Sequence, residues 1–216
     1  GVVATWGIDK DKIRVIYSAH HLKTPVMPRE ALRADFQFSG TVLVSVARLT
    51  PWKGMGLLLE LVARRQERGE AVSLVIVGDG PERERLEAKA AALGVAPRVR
   101  FVGALSQEAM FAVVAAADVF LLNTAYEGLS HQLLEVMALE TPIITTSVGG
   151  NTELLTNRVD GMLVPPNDLD AFDAALTTVL ADPAATEARV RRARERVKQF
   201  GAHDAVREVA MVFKNH

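Results

Sequence analysis

From residue 41 onward, short and almost uniformly apolar runs alternate with longer blocks whose apolar residues recur at helical spacing. That alternation restricts the fold more than any other feature of the chain. Residues 41–47 (TVLVSVA) and Val72–Val77 (VSLVIV) are β-branched runs; 99–102, Val119–Leu122, 142–146 and the shorter Met162–Val164 follow. Strands apolar on both faces belong in a parallel sheet covered by helices on each side. Between them Leu86, Ala90 and Leu93 recur at helical spacing, as do Phe172, Ala175, Leu176, Val179 and Leu180, with Asn167 or Asp168 as the N-cap of that second helix. Strand followed by helix, several times over, predicts an α/β fold: a doubly wound, Rossmann-like parallel sheet with right-handed crossovers. No fixed period recurs, which argues against a solenoid.

Composition narrows the function classes. The 216 residues are 49% hydrophobic and 24% charged, close to the soluble globular average. At about 150 residues per domain they predict one large domain, or one domain with a tail. The net charge of -1 gives no global field toward nucleic acid, and the chain has no cysteine, which excludes thiol chemistry, disulfides and zinc-finger ligation. The longest apolar stretch, 109–117, falls short of the roughly 18 residues of a membrane span. No charged-then-apolar leader opens the chain. It begins Gly-Val-Val-Ala-Thr without an initiator Met, and is expected to be a piece of a longer protein. Residues 1–40, with Pro25, Pro28 and a strand-like 13–17, read as a segment leading in from a preceding domain; 182 onward reads as two helices separated near Gly201.

Ligands of open α/β sheets sit at the carboxyl ends of the strands, so the loops there are the ones to inspect. After the first strand comes Arg48-Leu-Thr-Pro-Trp-Lys53-Gly54. Two cations on a tight loop beside a helix N-terminus suit a diphosphate, the guanidinium as a fork and the ammonium as a point charge. A solvated loop with two surface cations is the alternative. After the second strand, Gly78-Asp-Gly80-Pro-Glu-Arg83 puts Arg83 where a dinucleotide fingerprint has its third glycine; a tight turn explains its glycines without a ligand. After the fourth strand, Glu127 and Glu135 are eight residues apart. Chance alone gives about one such pair in this chain, so context carries the reading. Glu135 sits in an otherwise apolar helical run, where a charge must be paired or hydrogen-bonded. Glu127 lies on the loop and Glu135 within the second helical turn, both toward the strand-end crevice. A carboxylate there accepts from vicinal sugar hydroxyls; an internal salt bridge to Arg or Lys is the alternative.

The remaining constellations carry less. Asp9-Lys-Asp11 and Asp168-Leu-Asp170 fall at turn or cap positions, and the five histidines show no metal-ligand spacing. His131 is kept because it opens the candidate site helix. Residues 189–198 hold six cations, read either as a solvated helix face or as a face for anionic lipid.

Seven blocks in order then resemble a known family: R-L-T-P-W-K-G (48–54), V-G-D-G-P (77–81), V-R-F-V-G (99–103), A-A-D-V-F-L-L-N-T-A-Y-E-G (116–128), L-L-E-V-M-A-L-E-T-P-I-I-T (133–145), V-G-G-N-T-E (148–153) and D-G-M-L-V-P-P-N-D (160–168). They resemble the C-terminal, donor-binding domain of family 4 retaining glycosyltransferases, which have the GT-B fold. The resemblance implies a nucleotide-sugar-binding domain over 41–183, C-terminal helices over 184–216, and an N-terminal acceptor domain outside this chain, without which the fragment is inactive. It implies that Arg48 and Lys53 hold the diphosphate of a UDP- or GDP-sugar and that Glu135 accepts from the ribose. Glu127, with the amides of Gly128, Leu129 and Ser130, addresses the sugar and distal phosphate, and Val102, Gly103 and Leu105 line the base. It further implies no resident metal or cofactor and a cytoplasmic location, with peripheral contact at the inner membrane face in the full-length protein. The family's common E-G-F-G reads E-G-L-S here. Glu140 stands where Gly is usual, at a helix end that favours φ > 0, and Ala47 where Gly is frequent. A nucleotide-sugar epimerase, a non-catalytic nucleotide-sugar module and, more distantly, a dinucleotide dehydrogenase are the competing readings.

Overall fold

The computed structural model describes residues 27–200. Six strands, β1 (Thr41–Val46), β2 (Val72–Val77), β3 (Val99–Gly103), β4 (Val119–Leu122), β5 (Ile143–Thr146) and β6 (Met162–Val164), form one sheet. Its order is β3-β2-β1-β4-β5-β6 and every pairing is parallel. Strand bounds match the apolar runs to within one residue, the usual looseness of element ends. The eight α-helices among the described residues are α1 (Arg29–Asp35), α2 (Met55–Glu67), α3 (Arg83–Ala92), α4 (Gln107–Ala116), α5 (His131–Ala138), α6 (Asn151–Leu154), α7 (Leu169–Ala181) and α8 (Pro183–Val197). The strand-like 13–17, the Asp9-Lys-Asp11 pair and any helix beyond Gly201 lie outside the described residues.

The alternation of side chains along each strand divides the core into two. Leu43, Leu74, Ile76, Leu121 and Ile144 pack beneath Leu58 and Leu61 of α2, Leu86 of α3, and Phe172 and Leu176 of α7. Val42, Val44, Val75, Phe120 and Leu122 face the other way, onto Val114 of α4, Leu133 and Met137 of α5, and Ala193 and Val197 of α8. Both faces are therefore covered, as uniformly apolar strands require. Asp168 is the N-cap of α7, accepting from the Ala171 amide at 2.9 Å. Helix α1 forms where the sequence carries no helical periodicity. Only Leu32 anchors it in the core, and Arg33 ties it to Asp118 at 3.0 Å, whose Oδ2 also accepts from the Val42 amide at 2.7 Å. The cationic run of α8 is largely occupied. Arg192 donates to the Val159 carbonyl and Arg196 to the Glu153 carbonyl, while Arg194 pairs with Glu140.

A buried ionic cluster fastens α2 to α7. Arg65, 3% exposed, has its Nε 2.6 Å from Asp173 Oδ1, at an angle too bent for a hydrogen bond, so that contact is Coulombic. The same guanidinium donates to the Asp173 carbonyl at 2.5 Å and to Thr177 Oγ1 at 2.7 Å, and Arg68 reaches Asp173 Oδ2 at 2.7 Å. Removing one member of such a cluster strands a buried charge. Asp173→Ala is expected to cost about 3–5 kcal/mol in urea unfolding. At the end of α5, Glu140 has φ 59, a left-handed position that penalises any side chain with a Cβ. Glu140→Gly and Glu140→Ala lose the Arg194 pair alike, so the glycine variant is expected to be the more stable of the two by about 1 kcal/mol.

Candidate functional site

The strand order reverses at β1, which has β2 on one side and β4 on the other. A doubly wound sheet opens its ligand crevice at this switch point. The loops that leave β1 and β4 carry the cations and the first carboxylate singled out from sequence.

Each loop is held by the backbone of its neighbour. After β1, Leu49 is fully buried; its amide donates to the Asp79 carbonyl at 2.9 Å and its carbonyl accepts from Glu82 at 3.1 Å. A Cβ at Gly78 would lie 2.0 Å from the Ala47 carbonyl oxygen, and one at Gly80 would lie 2.4 Å from that of Leu49. The G-D-G sequence is thus a packing device, as the tight-turn reading expects. After β4 the same arrangement recurs. A Cβ at Gly149 would meet the Glu127 carbonyl oxygen at 2.0 Å, and one at Gly150 that of Gly128 at 2.2 Å. Gly150 also donates to the Glu127 carbonyl at 3.2 Å. Asn123, fully buried at the end of β4, donates to the Gly54 carbonyl at 2.9 Å and accepts from the Asn167 amide at 3.1 Å. It joins three strand-end loops. The Ala125 amide donates to the Trp52 carbonyl at 2.8 Å, bringing the β1 and β4 loops edge to edge.

This scaffold brings Lys53 and Glu127 together. Lys53 ends a 3-10 turn at Pro51–Lys53, which Gly54 closes at φ 52. Its Nζ donates to Glu127 Oε2 at 2.5 Å, with the side chains 17% and 20% exposed. The internal salt bridge weighed from sequence is therefore present at Glu127. Arg48 lies exposed on the same loop, and no hydrogen bond or ion pair of its guanidinium occurs among the described residues. Glu135 lies in the second turn of α5, but its neighbours overstate its burial. Leu133, Leu134, Val136 and Met137 are buried while Glu135 is only partly buried, because the helix turns its apolar arc to the sheet. Its Oε1 accepts from Gln107 Nε2 of α4 at 2.9 Å.

The amides of Gly128, Leu129 and Ser130 donate to no carbonyl or side chain among the described residues. Ser130 is the N-cap of α5, its Oγ accepting from Leu133 at 3.4 Å. Those amides stand at a helix N-terminus, where partial positive charge accumulates. Val102 and Leu105, more than a third exposed, flank Gly103, whose carbonyl accepts from Gly78 at 2.7 Å. Trp52 and Tyr126, 54% and 75% exposed, stand on the β1 and β4 loops. Sequence reasoning missed Asn123 and Gln107. A lone polar residue closing the apolar V-F-L-L-N run marks Asn123, whereas nothing local marks Gln107, 28 residues from its partner. No cluster of three or more potential metal ligands occurs among the described residues. A cavity of about 590 Å³, lined by Leu32, Ala117, Asp118, Leu139 and Val179 among others, opens at the amino ends of β4 and β5, the opposite end of the strands from the residues singled out.

The architecture is a doubly wound, Rossmann-like parallel sheet of the kind found in GT-B glycosyltransferases. Residues 29–198 match the model of the family described as glycosyl transferases group 1, and the chain belongs to that family. It is 32% identical over 170 residues to the 2-deoxystreptamine glucosyltransferase of Streptomyces kanamyceticus, covering 78% of this chain and 44% of that protein. The chain thus spans less than half the length of that relative. Among solved structures, Anabaena HepE in complex with UDP superposes with a TM-score of 0.89 at 23% identity, over 99% of this chain and 60% of HepE. The C-terminal domain of the group 1 glycosyl transferase LpcC from Francisella tularensis superposes with a TM-score of 0.72 at 20% identity, over 82% of this chain and 94% of that domain. No helix among the described residues is long and apolar enough to cross a membrane.

The glycine contacts give a direct test of the scaffold. Gly149→Ala places a methyl group against the Glu127 carbonyl at a residue with φ 47. It is expected to cost about 2–4 kcal/mol in chemical unfolding, against about 1 kcal/mol or less for an alanine at the open Gly128.

Proposed function

We propose that this chain is the donor-binding half of a retaining, family 4 glycosyltransferase, which transfers a sugar from a nucleoside-diphosphate-sugar to an acceptor held by an N-terminal domain outside it. The observation that carries the reading is the convergence at the switch point: Lys53 against Glu127 on facing loops, with three open amides beside them at the start of α5. A diphosphate needs such a set of donors, and a leaving diphosphate needs them most as negative charge develops on it.

In this reading Arg48 and Lys53 bind the diphosphate and stabilise its departure. The Gly128, Leu129 and Ser130 amides take the distal phosphate. Glu127 addresses the transferred sugar, and Glu135, oriented by Gln107, accepts from the ribose hydroxyls. Val102, Gly103 and Leu105 give the base an edge of backbone and apolar surface. Retention of anomeric configuration follows from the family resemblance, as does a cytoplasmic site of action with peripheral membrane contact in the full-length protein. The donor-binding unit over 41–183 takes α8 as a covering layer, and the acceptor residues lie on the other domain. The UDP bound by HepE favours a uridine donor, with a guanosine donor as the alternative. The fragment alone binds donor without transferring sugar.

Thermal-shift titration of this chain with UDP, GDP, ADP and CMP tests the reading. A ligand at 100 times its Kd that binds only the folded state adds about 2.7 kcal/mol. One diphosphate is expected to raise the midpoint, and Glu135→Ala and Lys53→Ala to remove most of the shift, each read against that variant's own midpoint without nucleotide. No shift with any of the four, in this chain or in the full-length protein, overturns the assignment. A full-length protein that alters the donor sugar without acceptor would point to an epimerase instead.

A further inference from the structure

The Lys53–Glu127 contact does more than place two site residues side by side. Each side chain is about four-fifths buried and the nitrogen-oxygen distance is 2.5 Å. The ammonium therefore already has a full counterion; its own loop is pinned through Trp52 to Ala125, and the facing loop is held at Glu127 by Gly150. A largely buried ammonium cannot serve a carboxylate and a phosphate at full strength together, since both draw on the same three donors and repel each other. Arg48, exposed and with no hydrogen bond or ion pair of its guanidinium among the described residues, meets no such competition there.

We infer that Glu127 is an internal competitor of the donor's diphosphate. The phosphate takes Lys53 only by displacing the carboxylate, and the displaced carboxylate is thereby freed toward the sugar. The inference rests on the donor-site reading above and adds to it an order of contacts and a selectivity. Arg48 makes the first phosphate contact, and exchange at Lys53 follows. Only then does Glu127 gain the freedom to accept from sugar hydroxyls. Ligands whose charge is too small to replace a carboxylate on Lys53 are rejected by the protein's own counterion. No bond is made or broken in the exchange; one ionic hydrogen bond replaces another, and the ammonium keeps its protons.

The consequence is unusual for a residue that belongs to the binding machinery, because removing its charge should improve binding. Calorimetric titration of this chain with UDP and with GDP, for wild type, Glu127→Gln, Lys53→Ala and the double variant, tests it. Whichever diphosphate binds wild type is expected to bind Glu127→Gln about three- to tenfold more tightly, the range between an exposed ion pair and a buried charged hydrogen bond. Lys53→Ala weakens binding, and in that background Glu127→Gln returns less than half of its gain. Glu127→Asp keeps the charge but shortens its reach, and gives a smaller gain of the same sign; it stands in if the glutamine variant fails to fold, which the midpoint without nucleotide reveals. An unchanged or weakened affinity in Glu127→Gln, or an equal gain with and without Lys53, overturns the exchange while wild-type binding leaves the donor site standing. Wild type binding neither diphosphate overturns both.

Discussion

The pairing of β1 with β4 is the constraint on which the rest of this molecule depends. It sets side by side two strands separated by two complete strand-helix units, and so faces two loops whose ends carry opposite charge. Lys53 and Glu127 are 74 residues apart in the chain and 2.5 Å apart in space. Without that pairing each would be a surface charge of little energetic weight. With it, they form a half-buried ion pair at the one place where an open parallel sheet offers a crevice.

Close backbone approach makes the crevice rigid. Gly78 and Gly80 let the β2 loop lie against the β1 loop, while Gly149 and Gly150 let the β5 loop lie against the β4 loop. The two halves of the site are thus buttressed by the same device, a glycine pair that brings one loop within reach of its neighbour's carbonyl oxygens. Asn123 crosses between the halves with its amide and carbonyl both engaged. The site's charged groups are consequently presented by loops with little room to move, a condition for electrostatic preorganisation. The stability behind this lies elsewhere, in two apolar layers and in the Arg65–Asp173 cluster that locks α2 to α7.

How much of this was legible in the residues depended on whether the signal was local. The strands are legible because a fully buried parallel strand must be apolar at every position, and the six runs read from sequence are the six strands of the sheet. Asp168 is legible as a cap because an aspartate ahead of an amphipathic stripe has a local task. Helix α1 was not, since what fixes it is Leu32 in the core and Arg29 and Arg33 reaching Asp118, more than eighty residues away. The setting of Glu135 was only half legible. Its apolar neighbours suggest deep burial, but a helix on a sheet buries an arc and not its circumference, and Glu135 falls outside the arc beside Gln107.

The sequence by itself determined the class of fold, the strand-end loops that carry the charged residues, and the family to which the motifs belong, because hydrophobic period and motif order are properties of a chain read in one dimension. Only the tertiary structure decided which of those charged groups meet. That Lys53 is already neutralised by Glu127, that Arg48 meets no carboxylate among the described residues, and that Gln107 holds Glu135 are consequences of strand order and loop packing. Charge pairing acts over a few ångströms of space, and sequence separation carries no record of that distance.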